Sequence, residues 1–218
     1  VNTLFALPRD LGRIELSVEE CMYYLYLPIC RPRSKQFRLP DKRLHFVRRL
    51  LLAIEMEDEL DGKFVYLTVK RMYVGGGVTA NRPGWHIDGY GSNDINYVWY
   101  DCVPTIFSGP IEMRLSDDHT KCLEQLEASH PHLTELSRRY PNKHLLRLDP
   151  TVIHRVDTDV PEQLMRTFIK ITISDDEFNL AGNSINPLLP STIRMVDREA
   201  RRNSPVNAMS DRVKEYSV

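Results

Sequence analysis

A chain of 218 residues can bury one sizeable core but is short for two, and 42% hydrophobic with 27% charged residues suits a globular protein rather than a disordered one. A formal net charge of -1 gives no general attraction to nucleic acid or to an anionic membrane. The longest apolar stretches, around Tyr23 to Ile29 and Leu50 to Ile54, fall far short of the roughly 20 residues that cross a bilayer. The opening segment VNTLFALPRDLGR lacks the basic region, apolar stretch and cleavage site of a secretory leader, so the expectation is a cytoplasmic protein. Cys21, Cys30, Cys102 and Cys122 show no CxxC spacing, which points to buried free thiols rather than to a zinc knuckle or a disulfide framework.

In chain order, the first 40 residues carry Pro8, Pro28, Pro32 and Pro40 between short apolar runs, and predict outer strands and loops. Leu44, Val47, Leu51 and Ile54 then recur at helical spacing, with Gly62 as the expected stop. Phe64 to Val74 alternates as a strand, with Phe64, Tyr66, Thr68, Lys70 and Met72 on one face and Val65, Leu67, Val69 and Arg71 on the other. Gly75 to Gly77 break it, and Asn81 to Gly84 form a second turn before Trp85 to Asp88. Ile95 to Phe107 reads as a long strand or a strand pair interrupted by Pro104.

Ser116, as a cap, opens a helical insertion that runs to Tyr140 through Cys122, Leu123, Leu126, Leu133 and Leu136. Strands resume at Leu145 to Leu148, Val152 to Val156 and Met165 to Ser174. The expected organisation is one domain over residues 1 to 218. Its core is a jelly roll at about 64 to 175, wrapped by residues 1 to 63 and followed by a tail, 176 to 218, that packs over the body or frays. That makes a mainly β fold with peripheral helices, because the strand and helix alternation of a parallel α/β protein is missing.

WHIDGY sets His86 and Asp88 two residues apart, so that on a strand both side chains leave one face and can bind one metal. His154 lies 66 residues after Asp88 in the strand TVIHRV and is the third ligand candidate. Two imidazoles and one carboxylate suit non-haem iron, and zinc hydrolases can use the same ligand types. Arg166 follows His154 by 12 residues at the start of RTFIKITIS. An inward guanidinium needs an anion, and it can clasp a carboxylate through two hydrogen bonds.

His86, Asp88, His154 and Arg166, in this order and spacing, resemble the iron(II)- and 2-oxoglutarate-dependent oxygenase superfamily. The resemblance covers about Tyr73 to Ser174. It implies a double-stranded β-helix, cupin-like, that binds Fe(II) through His86, Asp88 and His154, with 2-oxoglutarate as cosubstrate and O2 as oxidant. Arg166 would hold the distal carboxylate of 2-oxoglutarate, and Tyr73, in YVGG, is a second candidate for that carboxylate. Because Asp88 occupies a position that halogenating members leave free, the implied reaction is hydroxylation or a related oxidation.

The expected substrate is a small molecule. An oxygenase acting on nucleic acid or protein, with the basic stretch Arg31 to Arg38 as a landing surface, and a non-redox cupin-like binding protein are the alternatives; the sequence gives no oligomeric state. The remaining histidines, His119, His130, His132 and His144, read as surface residues, and Trp85, Tyr90, Tyr97, Trp99 and Tyr100 as core.

Overall fold

Two 11-residue strands organise the chain, Phe64–Val74 and Leu164–Ser174, paired along their whole length from Leu164 opposite Val74 to Ser174 opposite Phe64. The computed structural model describes residues 2 to 197 except 33, 35, 59, 80 and 82. In chain order the strands are β1 (Thr3–Phe5), β2 (Arg9–Arg13), β3 (Met22–Cys30), β4 (Phe64–Val74), β5 (His86–Ile87), β6 (Ile95–Tyr100), β7 (Ile106–Ser108), β8 (Ile111–Met113), β9 (Ser137–Arg139), β10 (His144–Leu148), β11 (Ile153–Arg155) and β12 (Leu164–Ser174). The helices are a 3-10 turn at Lys42–Val47 leading into α1 (Arg48–Glu55), then α2 (His119–Ala128) and α3 (His130–Glu135).

All strand pairs are antiparallel, in a six-stranded sheet β2-β10-β6-β12-β4-β3, a four-stranded sheet β5-β11-β7-β9 and the pair β1-β8. The protein is therefore mainly β, as the sequence predicts. Strand alternation explains its layers. Ile169, Ile171 and Ile173 of β12, with Val65, Leu67 and Val69 of β4 and Tyr97 and Trp99 of β6, bury against Leu44, Val47, Leu50, Leu51 and Ile54 of the first helical segment. Phe168, Val98 and Tyr100 leave the opposite face and meet Phe107 and Val152 beside the four-stranded sheet. Ile87, Ile106 and Ile153 on that sheet's far side cover Cys122, Leu126 and Leu133 of α2 and α3. At about 1.5–3 kcal/mol per fully buried large apolar side chain, these three clusters supply the main driving force for folding.

Several boundaries differ from the sequence reading. Ile95 to Phe107 splits between sheets, β6 in the large one and β7 in the small, with Val103 at φ +49 just before Pro104. Asp118, not Ser116, caps α2, its carboxylate accepting from Lys121 N at 2.9 Å, while Ser116 Oγ accepts from Asp118 N. The insertion's last residues, Ser137–Arg139, are extended because they pair with β7. Cys30 and Cys122 are buried as expected, whereas Cys21 is exposed. The described part of the tail packs: Phe178 stacks on Tyr66 at 4.2 Å, and Asn186 Nδ2 donates to the Pro28 and Arg38 carbonyls. Residues 198 to 218 of the expected tail lie outside the described residues, as do Arg33 and Lys35 of the basic stretch.

The helix ends at Glu55 rather than running to Gly62, and the turn that follows carries Asp58 onto the sheet. There the Asp58 carboxylate accepts from Arg147 Nε at 2.8 Å, from Arg147 Nη2 at 3.1 Å and from the Tyr97 hydroxyl. Burial alone would raise the Asp58 pKa, but Arg147 and Tyr97 more than offset it and hold the carboxyl below its ordinary value. A depressed folded pKa contributes stability that is present above the unfolded value of about 4 and is lost as pH falls through the folded one. Asp58→Asn is therefore expected to cost about 1–2 kcal/mol at pH 7. Urea midpoints should show that difference shrinking as pH falls below about 4.

Among the described residues no helix is long and apolar enough to cross a membrane.

Candidate metal centre

The β5–β11 pairing sets His154 directly opposite His86, so the two imidazoles leave one face of the small sheet as a cross-strand pair with ring centroids 4.5 Å apart. Asp88 lies one residue past the end of β5, in the turn, and its Oδ2 is 3.7 Å from His154 Nε2. One donor atom from each of His86, Asp88 and His154 falls within 4.8 Å of the others, and the group could hold a metal ion. The expected three residues meet, although Asp88 arrives from a turn rather than from the strand itself.

Hydrogen bonds prepare both rings for that task. His86 Nδ1 lies 2.9 Å from the Gly84 carbonyl and His154 Nδ1 3.2 Å from the Val152 carbonyl. A carbonyl only accepts, so each Nδ1 carries the proton and each Nε2 keeps its lone pair for a ligand bond. Burial first, and the neighbouring His86 second, push the His154 pKa down to about 4, which keeps the ring in its neutral, ligating form. Two neutral imidazole nitrogens and a carboxylate oxygen fit a divalent transition ion, with coordination positions left over for other ligands.

The group opens on a cavity of about 220 Å³ whose wall includes Tyr26, Thr68, Lys70, Thr105, Arg155 and Lys170. Lys170, 8% exposed, donates from Nζ to Asp88 Oδ2 at 2.9 Å and to the Tyr26 hydroxyl at 3.0 Å. Burial alone would lower the Lys170 pKa and raise that of Asp88. Their mutual attraction wins on both sides, so Lys170 stays raised and Asp88 stays well below the usual carboxylate range. Sequence reasoning missed Lys170, and its signal was present: a lysine at an alternate position of the apolar strand RTFIKITIS demands a buried partner. Tyr26 had no such signal. His119, expected at the surface, also lines the cavity from the start of α2.

Arg166 is 4% exposed on the same face of β12 as Phe168 and Lys170. Its Nε donates to the Cys102 carbonyl at 3.1 Å, and its guanidinium lies 5.0 Å from the Phe168 ring and 5.8 Å from that of Tyr100. No carboxylate among the described residues pairs with it, and burial lowers its pKa to about 10, which still leaves it charged near neutrality. Arg166 borders a narrow cleft with Val74, Gly75, Val156 and Val160, while Phe168 stands between it and Lys170 on the strand.

Tyr73 is a correction. It is 59% exposed and pairs with Met165, whereas Arg166 pairs with Met72, so strand alternation points the Tyr73 ring away from the face that carries Arg166. Of the aromatics read as core, Trp85, Tyr97, Trp99 and Tyr100 are buried and Tyr90 packs partly buried against the cluster that holds Trp85.

Together, fold and site define a protein of antiparallel sheets with a His-Asp-His group able to hold a metal ion. Comparison of the chain with protein-family models, with curated proteins and with solved structures finds no match.

Proposed function

We propose that the protein is a non-haem iron(II)- and 2-oxoglutarate-dependent oxygenase that hydroxylates, or otherwise oxidises, a small molecule. The observation that carries this reading is the convergence of His86, Asp88 and His154, brought from opposed strands and a turn to within 4.8 Å. The strand order supports the double-stranded β-helix that such enzymes use. From β4 to β12 the chain doubles back on itself, β4 beside β12, β5 beside β11, β6 beside β10 and β7 beside β9, and the ribbon alternates between two sheets.

In this reading His86, Asp88 and His154 hold iron(II), and the Gly84 and Val152 carbonyls keep both imidazoles in the ligating tautomer. Arg166 is a buried cation with no carboxylate partner among the described residues, and it receives the distal carboxylate of 2-oxoglutarate. Phe168 and Val98 line the cavity with apolar surface that keeps water from the reacting centre. When bound, iron(II) and 2-oxoglutarate supply the activation of O2 and the oxidising equivalent for a substrate C–H bond, with succinate and CO2 as co-products.

Anaerobic addition of iron(II) and 2-oxoglutarate is expected to give the weak visible charge-transfer band of chelation. Arg166→Met, which keeps an apolar filling beside Tyr100 and Phe168, should weaken 2-oxoglutarate binding by about 100-fold at unchanged metal content. A wild-type protein that holds the metal but gives no band overturns the proposal. The placement of Arg166 behind Phe168, off the metal cavity's wall, favours one competing reading, a non-redox cupin-like metal and ligand binder. On that reading Arg166→Met leaves every ligand affinity at the metal unchanged.

A further inference from the structure

The wall of the metal cavity carries more positive than negative charge. Among the described residues the Lys70 and Lys170 side chains lie on its β4–β12 side, against one carboxylate, Asp88. If the site works as proposed above, a divalent ion balances Asp88 and the chelating carboxylate of 2-oxoglutarate, and Arg166 balances the distal one. The Lys170 ammonium, released from sole charge of Asp88, then has an N–H for a further ligand. A cleft of one sign with low-dielectric walls concentrates ligands of the opposite sign.

The backbone gives independent support at Tyr26. This residue sits at φ +46, in the left-handed region that costs a non-glycine residue about 1–2 kcal/mol. It occupies an irregularity in β3, where the register against β4 shifts between Tyr24 and Leu27. Bulges of this kind turn a side chain off its regular direction. Here Thr68 Oγ1 accepts from Tyr26 N at 3.0 Å, and Phe178 meets the ring edge-on at 5.4 Å, which fixes the hydroxyl against Lys170 Nζ. The hydroxyl accepts from Lys170, and its own proton has no acceptor among the described residues.

We infer that the molecule oxidised at this site carries an oxyanion group, a carboxylate, phosphate or sulfonate, which docks on the Lys170 ammonium and the Tyr26 hydroxyl. The inference rests on the oxygenase reading for what the metal does, but not for the anion site itself. Lys170 then has two tasks, holding Asp88 beside the histidines and presenting a further N–H to the substrate. The strained Tyr26 is what makes the second task specific, because its donor is aimed before the ligand arrives.

The test is a titration of the Mn(II)-loaded protein, with and without 2-oxoglutarate, by propionate, methylphosphonate, methanesulfonate and the neutral isostere propionamide, read by calorimetry and by the Mn(II) resonance spectrum. At least one anion should bind about tenfold or more tighter than propionamide, and the best of the three names the oxyanion class. Tyr26→Phe, which keeps the ring packing on Phe178, should weaken that anion about fivefold, and Lys170→Gln about tenfold. Affinity for 2-oxoglutarate should stay within about twofold in Tyr26→Phe, since this hydroxyl is not its partner. Equal binding of propionamide, an anion that merely displaces 2-oxoglutarate, or full affinity in Tyr26→Phe would each overturn the inference. Should 2-oxoglutarate fail to bind while the anions do, the oxygenase reading falls and the anion site stands. Should 2-oxoglutarate bind while none of the anions does, the anion site falls and the oxygenase reading stands.

Discussion

Asp88→Ala is expected to lower the stability of the metal-free protein by about 3–5 kcal/mol at pH 7 and to abolish stoichiometric metal binding. The two losses have different origins. Metal binding fails because two imidazoles remain without the carboxylate that completes the donor set, and the affinity loss should exceed the roughly 10–100-fold that a missing outer partner costs. Stability falls because Lys170, 8% exposed, keeps its charge but loses the carboxylate it pairs with at 2.9 Å and, among the described residues, keeps the Tyr26 hydroxyl. An ammonium left in that position is an uncompensated buried charge.

A second substitution separates the two effects. Adding Lys170→Met to Asp88→Ala replaces the stranded ammonium by an apolar side chain of similar length, so urea unfolding should recover most of the lost stability. Metal analysis should still find the double variant empty. If Asp88→Ala alone unfolds at the wild-type urea concentration, the Lys170 pair is not holding this part of the structure.

Gly75→Ala should cost about 3 kcal/mol or more. Gly75 has φ +97, and a Cβ built on it would lie 2.1 Å from the carbonyl oxygen of Glu162. That neighbour is backbone and cannot rotate aside as a side chain would. The turn at the end of β4 is also tied to the segment between β11 and β12, since Gly76 N donates to Val160 O at 2.9 Å. That segment links His154 to Arg166, so a displaced turn loosens the start of β12. Amide exchange over residues 157 to 163 should therefore accelerate together with the fall in melting temperature.

Gly62→Ala is the internal control. Gly62 has a similar φ of +74 but nothing within 4 Å of the added carbon, so only backbone strain of about 1 kcal/mol is expected. Equal losses in the two variants would mean that the close approach of Glu162 plays no part in holding the turn.

The periodicities of β4, of β12 and of the first helix were legible in the sequence because each element buries at least one continuous apolar face, and burial repeats with the local geometry. His86, Asp88 and His154 were legible for a different reason: few other arrangements of neutral nitrogen donors and a carboxylate in strand contexts can share an ion. Helix ends were less legible. Whether α1 stopped at Glu55 or ran on to Gly62 depended on Asp58 finding Arg147 and Tyr97, residues from β10 and β6.

Tertiary structure alone decided which face of each strand looks inward. Alternation divided β4 into two sets, both rich in apolar residues, and only the helix packed on Val65, Leu67 and Val69 assigned the opposite set to the metal side. Tyr73 therefore fell outside, and Lys70 faced the cavity. The cross-strand register of His86 with His154, the ion pair of Lys170 with Asp88 and the turned-in hydroxyl of Tyr26 likewise belong to the folded chain. A local sequence sets what a side chain can do, but which groups come within about 3 Å of it depends on long-range pairing that no local pattern encodes.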